Sequence, residues 1–209
     1  GYLIEFYDSP IQTHVPPLLK CSLQTSNLIS LEIQNLLLKQ AIEIHPPDFS
    51  GFFSNIFLVQ KKNKKLRPVI NLRFFNHFVV YRHFKMETIL HLRDILLQHD
   101  WLVRLDLQDA YLSIPIHIFH RKYLQFTWQG TTFRFSSLPF GLSSAPWCFT
   151  KIMRPVTAFL RSQGIRLIIY LDDILLMAQS QEVLRSHLEV TCSLLSNLGF
   201  LINTDKSIL

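Results

Sequence analysis

The sequence predicts an α+β fold. Apolar segments with strand-like alternation, such as Ile56 to Gln60 and Trp101 to Leu107, are scattered among segments of helical spacing, and no regular strand–helix–strand repeat joins them. Turn signals set strands in pairs, as at Gln129-Gly130 and at the basic run Lys61 to Lys65, which predicts antiparallel hairpins. With 209 residues, 48% of them hydrophobic, the chain can bury a core in one domain or two joined subdomains.

Taken in order, residues 1–27 are rich in Pro, Ser and Thr and read as an extended arm. Leu28, Leu31, Leu37, Leu38 and Ala41 lie near 3.6-residue spacing and predict a helix closed by Pro46-Pro47. Ile56 to Gln60 and Leu66 to Leu72 form a hairpin with a cationic tip. Met86 to Leu97 is expected to be helical, with Ile89, Leu92 and Leu96 inward. Trp101 to Leu107 is a strand running into Asp106, and Tyr123 to Trp128 pairs with Thr131 to Phe135. Ser144 is placed to cap a helix that Pro155 kinks or divides and Gly164 ends. Ile165 to Tyr170 and Ile174 to Ala178 are apolar strands around Leu171-Asp172-Asp173. Ser180 caps a last helix, with Leu184, Leu188, Thr191, Leu195 and Leu198 inward and Gly199 as terminator, before a strand from Phe200 to Asn203.

Composition excludes several classes. No apolar run reaches the roughly 18 residues of a membrane span, and the N-terminus lacks a signal-peptide pattern. The three cysteines, Cys21, Cys148 and Cys192, form no disulfide framework or Cys-x-x-Cys pair, which points to an intracellular, reducing setting without membrane partners. His117 and His120 have a metal-like spacing but no third ligand nearby, as scattered histidines commonly do. The chain begins without an initiator Met and is expected to be a piece of something longer. The net charge of +6 is concentrated: between Phe49 and Met86 lie Lys61, Lys62, Lys64, Lys65, Arg67, Arg73, Arg82 and Lys85 and no acid. A localised basic surface suits a polyanion; a solvated lysine-rich loop would have the same composition.

The chemistry starts from adjacent carboxylates, Asp172 and Asp173, in a turn between two apolar strands. Asp is common in ordinary turns. This one, however, lacks the Gly or Asn that tight hairpins favour, and paired like charges call for a counter-cation, for which a hard divalent ion is suited. Asp106 supplies a third acid at the end of a strand, where it is also placed to be a helix cap.

LDLQDAY (105–111), LPFGLSSAP (138–146) and YLDD (170–173) resemble, in this order and spacing, motifs A, B and C of reverse transcriptases. LRPVINLRFFN (66–76) resembles the fingers segment before them, and LGFLINTDKS (198–207) the motif D after them. FKMET (84–88), HRKYLQFTWQG (120–130) and LRSQGIRLIIYLDDILL (160–176) resemble most the DIRS-type, tyrosine-recombinase retrotransposons, with gypsy-type elements as the rival.

The resemblance implies the fingers and palm of a right-hand polymerase, the palm an antiparallel sheet backed by helices. Fingers are then residues 1–81 and 114–144 and palm 82–113 and 145–209, with the primer grip and thumb absent. It implies RNA- and DNA-directed DNA synthesis within a retrotransposon polyprotein, on a primed RNA or DNA template with dNTPs, beside thumb, RNase H and recombinase segments. Asp106, Asp172 and Asp173 become the catalytic acids and ligands of two Mg2+ ions, for which Mn2+ is a substitute. Lys65, Arg67, Asp109, Tyr111, Phe140, Gly141 and Lys206 become dNTP contacts, together with the backbone amides from Leu107 through Ala110 to Tyr111. Lys61, Lys62, Lys64 and Arg73 fall to the nucleic acid. Tyr111 matches the steric gate against a ribose hydroxyl, though a core tyrosine would share its pattern. Phe140 departs from the Gln of retroviral enzymes, and Asn71 stands where many relatives carry an acid. A decayed or domesticated element that merely binds nucleic acid would carry the same motifs, and an unrelated basic binding domain would need all five blocks by chance.

Overall fold

The structure, a computed structural model, describes residues 1–17, 19–60 and 66–208. Its elements in chain order are α1 (Leu23–Leu38), β1 (Ile42–Ile44), β2 (Ile56–Gln60), β3 (Leu66–Ile70), α2 (Ile89–Ile95), β4 (Trp101–Gln108), β5 (Gln125–Trp128), β6 (Thr131–Phe135), α3 (Ala145–Ser162), β7 (Arg166–Tyr170), β8 (Asp173–Ala178), α4 (Gln181–Asn197) and β9 (Leu201–Ile202). Antiparallel sheets mix with helices, so the α+β class holds. The chain splits into two compact units, Gly1–Arg82 with Ile114–Ala145 and His83–Ser113 with Pro146–Leu209. Among the described residues no helix is long and apolar enough to cross a membrane.

The first unit holds the β2–β3 hairpin and a three-stranded sheet in the order β1-β6-β5. Its core is aromatic: Phe52, almost fully buried, lies against the rings of Phe74, Phe75 and Phe78. Gln129 and Gly130 both take positive φ (48° and 80°), the two-residue turn whose twist matches paired strands. The first helix differs from the sequence expectation at both ends. It starts at Leu23, where the Ser22 hydroxyl accepts the Thr25 N–H, so the extended arm is shorter than residues 1–27. It stops at Leu38 because Gln40 turns left-handed (φ 55°), with the Gln40 amide on the Leu37 carbonyl and the Ala41 amide on the Leu36 carbonyl. That leaves Ile42 to Ile44 free to pair with β6 as a strand hidden inside an apolar, helix-like run.

The second unit is built on a four-stranded sheet in the order β7-β8-β4-β9, with α4 packed on it. Ser180 caps α4 by accepting the Val183 N–H, and Gly199 ends it at φ 84° with the Phe200 amide on the Leu195 carbonyl. Leu184, Thr191 and Leu195 face inward as expected, while Leu198 is exposed. Three further expectations fail. The helix expected over Met86 to Leu97 is only Ile89–Ile95, and it has no buried face, Ile89 being 79% exposed. α3 continues through Pro155 to Ser162, so Pro155 does not divide it, while Gly164 follows its end as expected. The buried Ser144 hydroxyl makes no hydrogen bond, so it is not the side-chain cap of α3.

Candidate active site

From Leu102 β4 alternates exposed and buried positions until Asp106, which lies on the outward face yet is only 8% exposed. The antiparallel pairing of β4 with β8 sets Asp106 directly opposite Asp173. The neighbouring Leu107 N–H donates to the Asp172 carbonyl at 2.8 Å. Asp106 and Asp173 are therefore a non-hydrogen-bonded pair, the closer kind, with Cα atoms about 4.5 Å apart and both side chains on one face. Asp172 follows Leu171 in the two-residue loop that joins Tyr170 to Asp173. Leu171 occupies the left-handed region at φ 53°, where this turn would normally place a glycine. A branched residue held there stores backbone strain, a feature concentrated at functional sites.

The terminal segment closes over Asp106. Lys206 Nζ lies 3.3 Å from the Asp106 carboxylate. The Asp106 N–H donates to the Ser207 hydroxyl, and the Asn203 N–H to the Asp106 carbonyl. Arg104 donates to the Lys206 carbonyl and, through its backbone, pairs with Ile208. Burial pushes the Asp173 carboxyl up from its ordinary range, and the charges of Asp172 and Asp106 push it further; Arg104 and Lys206 oppose this. Among the described residues no three His, Cys, Asp or Glu side chains are gathered around a metal position. The oxygen-only donor set and its mutual repulsion nonetheless fit a hard divalent cation, and the Lys206 ammonium supplies positive charge at the same place.

Other candidate residues divide between the units. In the second, Leu107, expected to offer its amide to phosphate, spends it on Asp172 instead, and its side chain is buried. Asp109 makes the turn after β4 at φ 48°, its carbonyl accepting the Leu112 N–H, and Ala110 is buried behind it. Tyr111 is half-buried, its ring 5.5 Å from that of Phe149 on α3. A cleft of about 440 Å³, whose lining includes Lys85, Glu87, Arg154, Arg161, Ile169 and Leu171, lies beside the turn that bears the acids.

In the first unit the Arg67 guanidinium lies over the Phe140 ring at 4.3 Å. Gly141 has φ 105°, and a Cβ there would come within 2.9 Å of the Ile70 carbonyl oxygen. Asn76 clamps this loop, its amide donating to the Gly141 carbonyl and its side-chain oxygen accepting the Ser143 N–H. Arg73 is exposed. Lys61, Lys62, Lys64 and Lys65 lie outside the described residues. Asn76, Ser207 and Glu87 were missed as site residues. Each belongs to a block that stood out in the sequence, but their partners lie far along the chain.

The fold is that of known reverse transcriptases. The chain superposes on a foamy viral protease-reverse transcriptase in complex with double-stranded DNA (TM-score 0.81, 22% identity, 96% of this chain and 34% of that one). It superposes equally on that protein in complex with an RNA/DNA hybrid (TM-score 0.80, 21% identity, 98% and 27%). Residues 59–209 match the family of reverse transcriptases (RNA-dependent DNA polymerases), and the chain belongs to that family. Relatives include the genome polyprotein of Petunia vein clearing virus (28% identical, 81% of this chain, 8% of the polyprotein). The Pol polyproteins of the Drosophila melanogaster transposons 412 (28%, 74% and 12%) and gypsy (24%, 96% and 19%) also match. The chain thus spans less than a fifth of each of these relatives.

Proposed function

We propose that this chain is the fingers and palm of an RNA- and DNA-directed DNA polymerase, the first unit serving as fingers and the second as palm. The opposition of Asp106 and Asp173, with Asp172 one residue away in the same hairpin, carries the reading. Asp106, Asp172 and Asp173 are the residues that would hold two Mg2+ ions, or Mn2+ in their place. When bound, such ions lower the pKa of a primer 3′-hydroxyl and neutralise the triphosphate. The chain's own groups do the rest. Leu107 fixes Asp172 through the backbone, Ser207 and Asn203 hold Asp106, and Lys206 offers a cation beside the reacting phosphates. Arg67 and the turn lysines, Lys65 foremost, grip the triphosphate, because charge-assisted bonds to phosphate are strong and directional. The Gly141 loop supports the new base pair, with Tyr111 under the sugar. Lys85 and Arg154 extend the path of the nucleic acid along the cleft.

The parent we infer is a retroelement polyprotein of the DIRS type, on the wording of FKMET and its companion stretches. A gypsy-type parent is the alternative, and a gypsy relative is among the matches. An RNase H followed by a tyrosine recombinase downstream of this segment would decide for DIRS; an integrase would decide against it.

Primer extension by a polypeptide that includes the downstream thumb tests the activity, with Asp172→Asn as control. Extension by the parent and none by the variant, with template binding retained in both, is the expected result. A parent that binds template and never extends a primer would favour the decayed-element reading.

A further inference from the structure

β7 is an outer strand of its sheet, and such a strand presents backbone groups with no strand to meet them. Two of these groups are met by side chains. The Leu167 carbonyl accepts from Arg161 Nη2 at 2.8 Å, and the Ile169 N–H donates to Glu87 Oε2 at 2.8 Å. The other Glu87 oxygen accepts from the same Arg161 nitrogen at 2.5 Å. Carboxylate, guanidinium and backbone close a ring. The acceptor and the donor stand where a neighbouring strand would present its own.

The place of this ring matters more than its charge. An ion pair with side chains 26% and 44% exposed contributes little by attraction alone. But Ile169 stands just before Tyr170, the strand partner of Asp173, and two residues before the left-handed Leu171. A turn held against its backbone preference keeps its shape only where the surroundings fix it on both sides. β4 fixes β8 on one side. Glu87 and Arg161 fix β7 on the other. Glu87 belongs to the FKMET block, and the polymerase reading gives its carboxylate no task.

We propose that Glu87 and Arg161 are positioning residues that stand in for a missing strand beside β7, holding the Leu171-Asp172 turn so that Asp172 and Asp173 keep their register with Asp106. Only the catalytic consequence rests on the polymerase reading.

Amide hydrogen exchange in the 209-residue chain tests the positioning directly. In Glu87→Ala the Ile169 amide should exchange about tenfold faster or more, with faster exchange through residues 167–173 and none gained in α4 or β9. Glu87→Gln keeps an acceptor oxygen and should stay within about threefold of the parent. In a thumb-containing polypeptide, Glu87→Ala should lower kcat about tenfold while leaving the dNTP KM and primer-template Kd within about twofold, and Glu87→Gln should restore most of the rate. Unchanged exchange at Ile169 would overturn the proposal, as would exchange rising equally in α4 and β9. A loss residing wholly in primer-template affinity would also overturn it, showing that Glu87 meets the nucleic acid instead. Should the parent extend no primer while the exchange pattern appears as expected, the polymerase reading fails and the positioning stands.

Discussion

Asp106 and Asp173 face each other across β4 and β8 at a pair position where side chains approach most closely, and Lys206 lies against the first of them. The fold therefore brings like charges together and partly offsets them with its own ammonium. The unfavourable remainder falls on Asp173, whose carboxyl is pushed up by burial and then by its two acidic neighbours.

Removing that charge should stabilise the chain when no divalent ion is present. A raised carboxyl pKa means that folding disfavours the ionised form, a penalty felt above the folded pKa and absent well below it. Asp173→Asn is expected to raise Tm at pH 7 by about 1–2 °C, a modest figure because the group is solvent-screened. The difference should vanish towards pH 3. A Tm at pH 7 equal to or below the parent's would contradict the electrostatic account.

Tyr111 is expected to exclude ribonucleotides. Its ring rests on Phe149, which limits how far it can swing aside. Tyr111→Ala in a primer-extending polypeptide should raise ribonucleotide incorporation relative to deoxynucleotide by about a hundredfold or more, the scale of a removed steric clash. An unchanged preference would make Tyr111 a packing residue.

Gly141 is irreplaceable on two counts, its φ of 105° and the approach of Ile70. Gly141→Ala should cost about 2 kcal/mol, seen as a fall in the denaturation midpoint with an unchanged slope. Asn76→Ala should loosen the same loop by removing both of its clamping bonds. A Gly141→Ala chain as stable as the parent would show that the loop readily adopts another path.

Asp100 ties together the ends of three strands. Its carboxylate, 1% exposed, accepts from Arg166 of β7, from Gln179 just after β8 and from the Leu97 N–H. The Arg166 bonds hold its pKa well below the usual carboxylate range against the opposing effect of burial. A depressed pKa stabilises the fold fully above the unfolded value, near 3.9, and that contribution is lost as pH falls towards the folded value. Asp100→Ala should cost about 3 kcal/mol at pH 7. The gap between variant and parent should narrow steadily below about pH 4 in denaturant titrations. A gap independent of pH would mean that packing, and not charge, holds the corner.

Local signals in the sequence were sufficient for some features and not for others. The hairpin that carries Asp172 and Asp173 and the caps Ser180 and Gly199 were legible because each depends on a few adjacent residues. β1 was not: Leu36 to Ile44 contains no Gly or Pro to mark a break, and what divides helix from strand is Gln40, a residue with no marked liking for positive φ. The expected inner face of α2 failed because apolar spacing tells that a face exists, not that something covers it. The resemblance assigns the Leu107 amide to phosphate, whereas the ladder with β8 claims it. Asn76, Glu87 and Ser207 escaped because each acts on backbone groups that are close only after folding.

β4 is an interior strand, and the groups that finish its Asp106 end, Lys206 and Ser207, come 100 and 101 positions later. Closures over such spans are among the slow events of folding, because chain entropy is spent before any contact returns it. During synthesis the first acid is thus made early and waits, bare-edged, through the emergence of everything between. A nascent chain would carry all three acids before the residues that hold Asp106 in place had emerged.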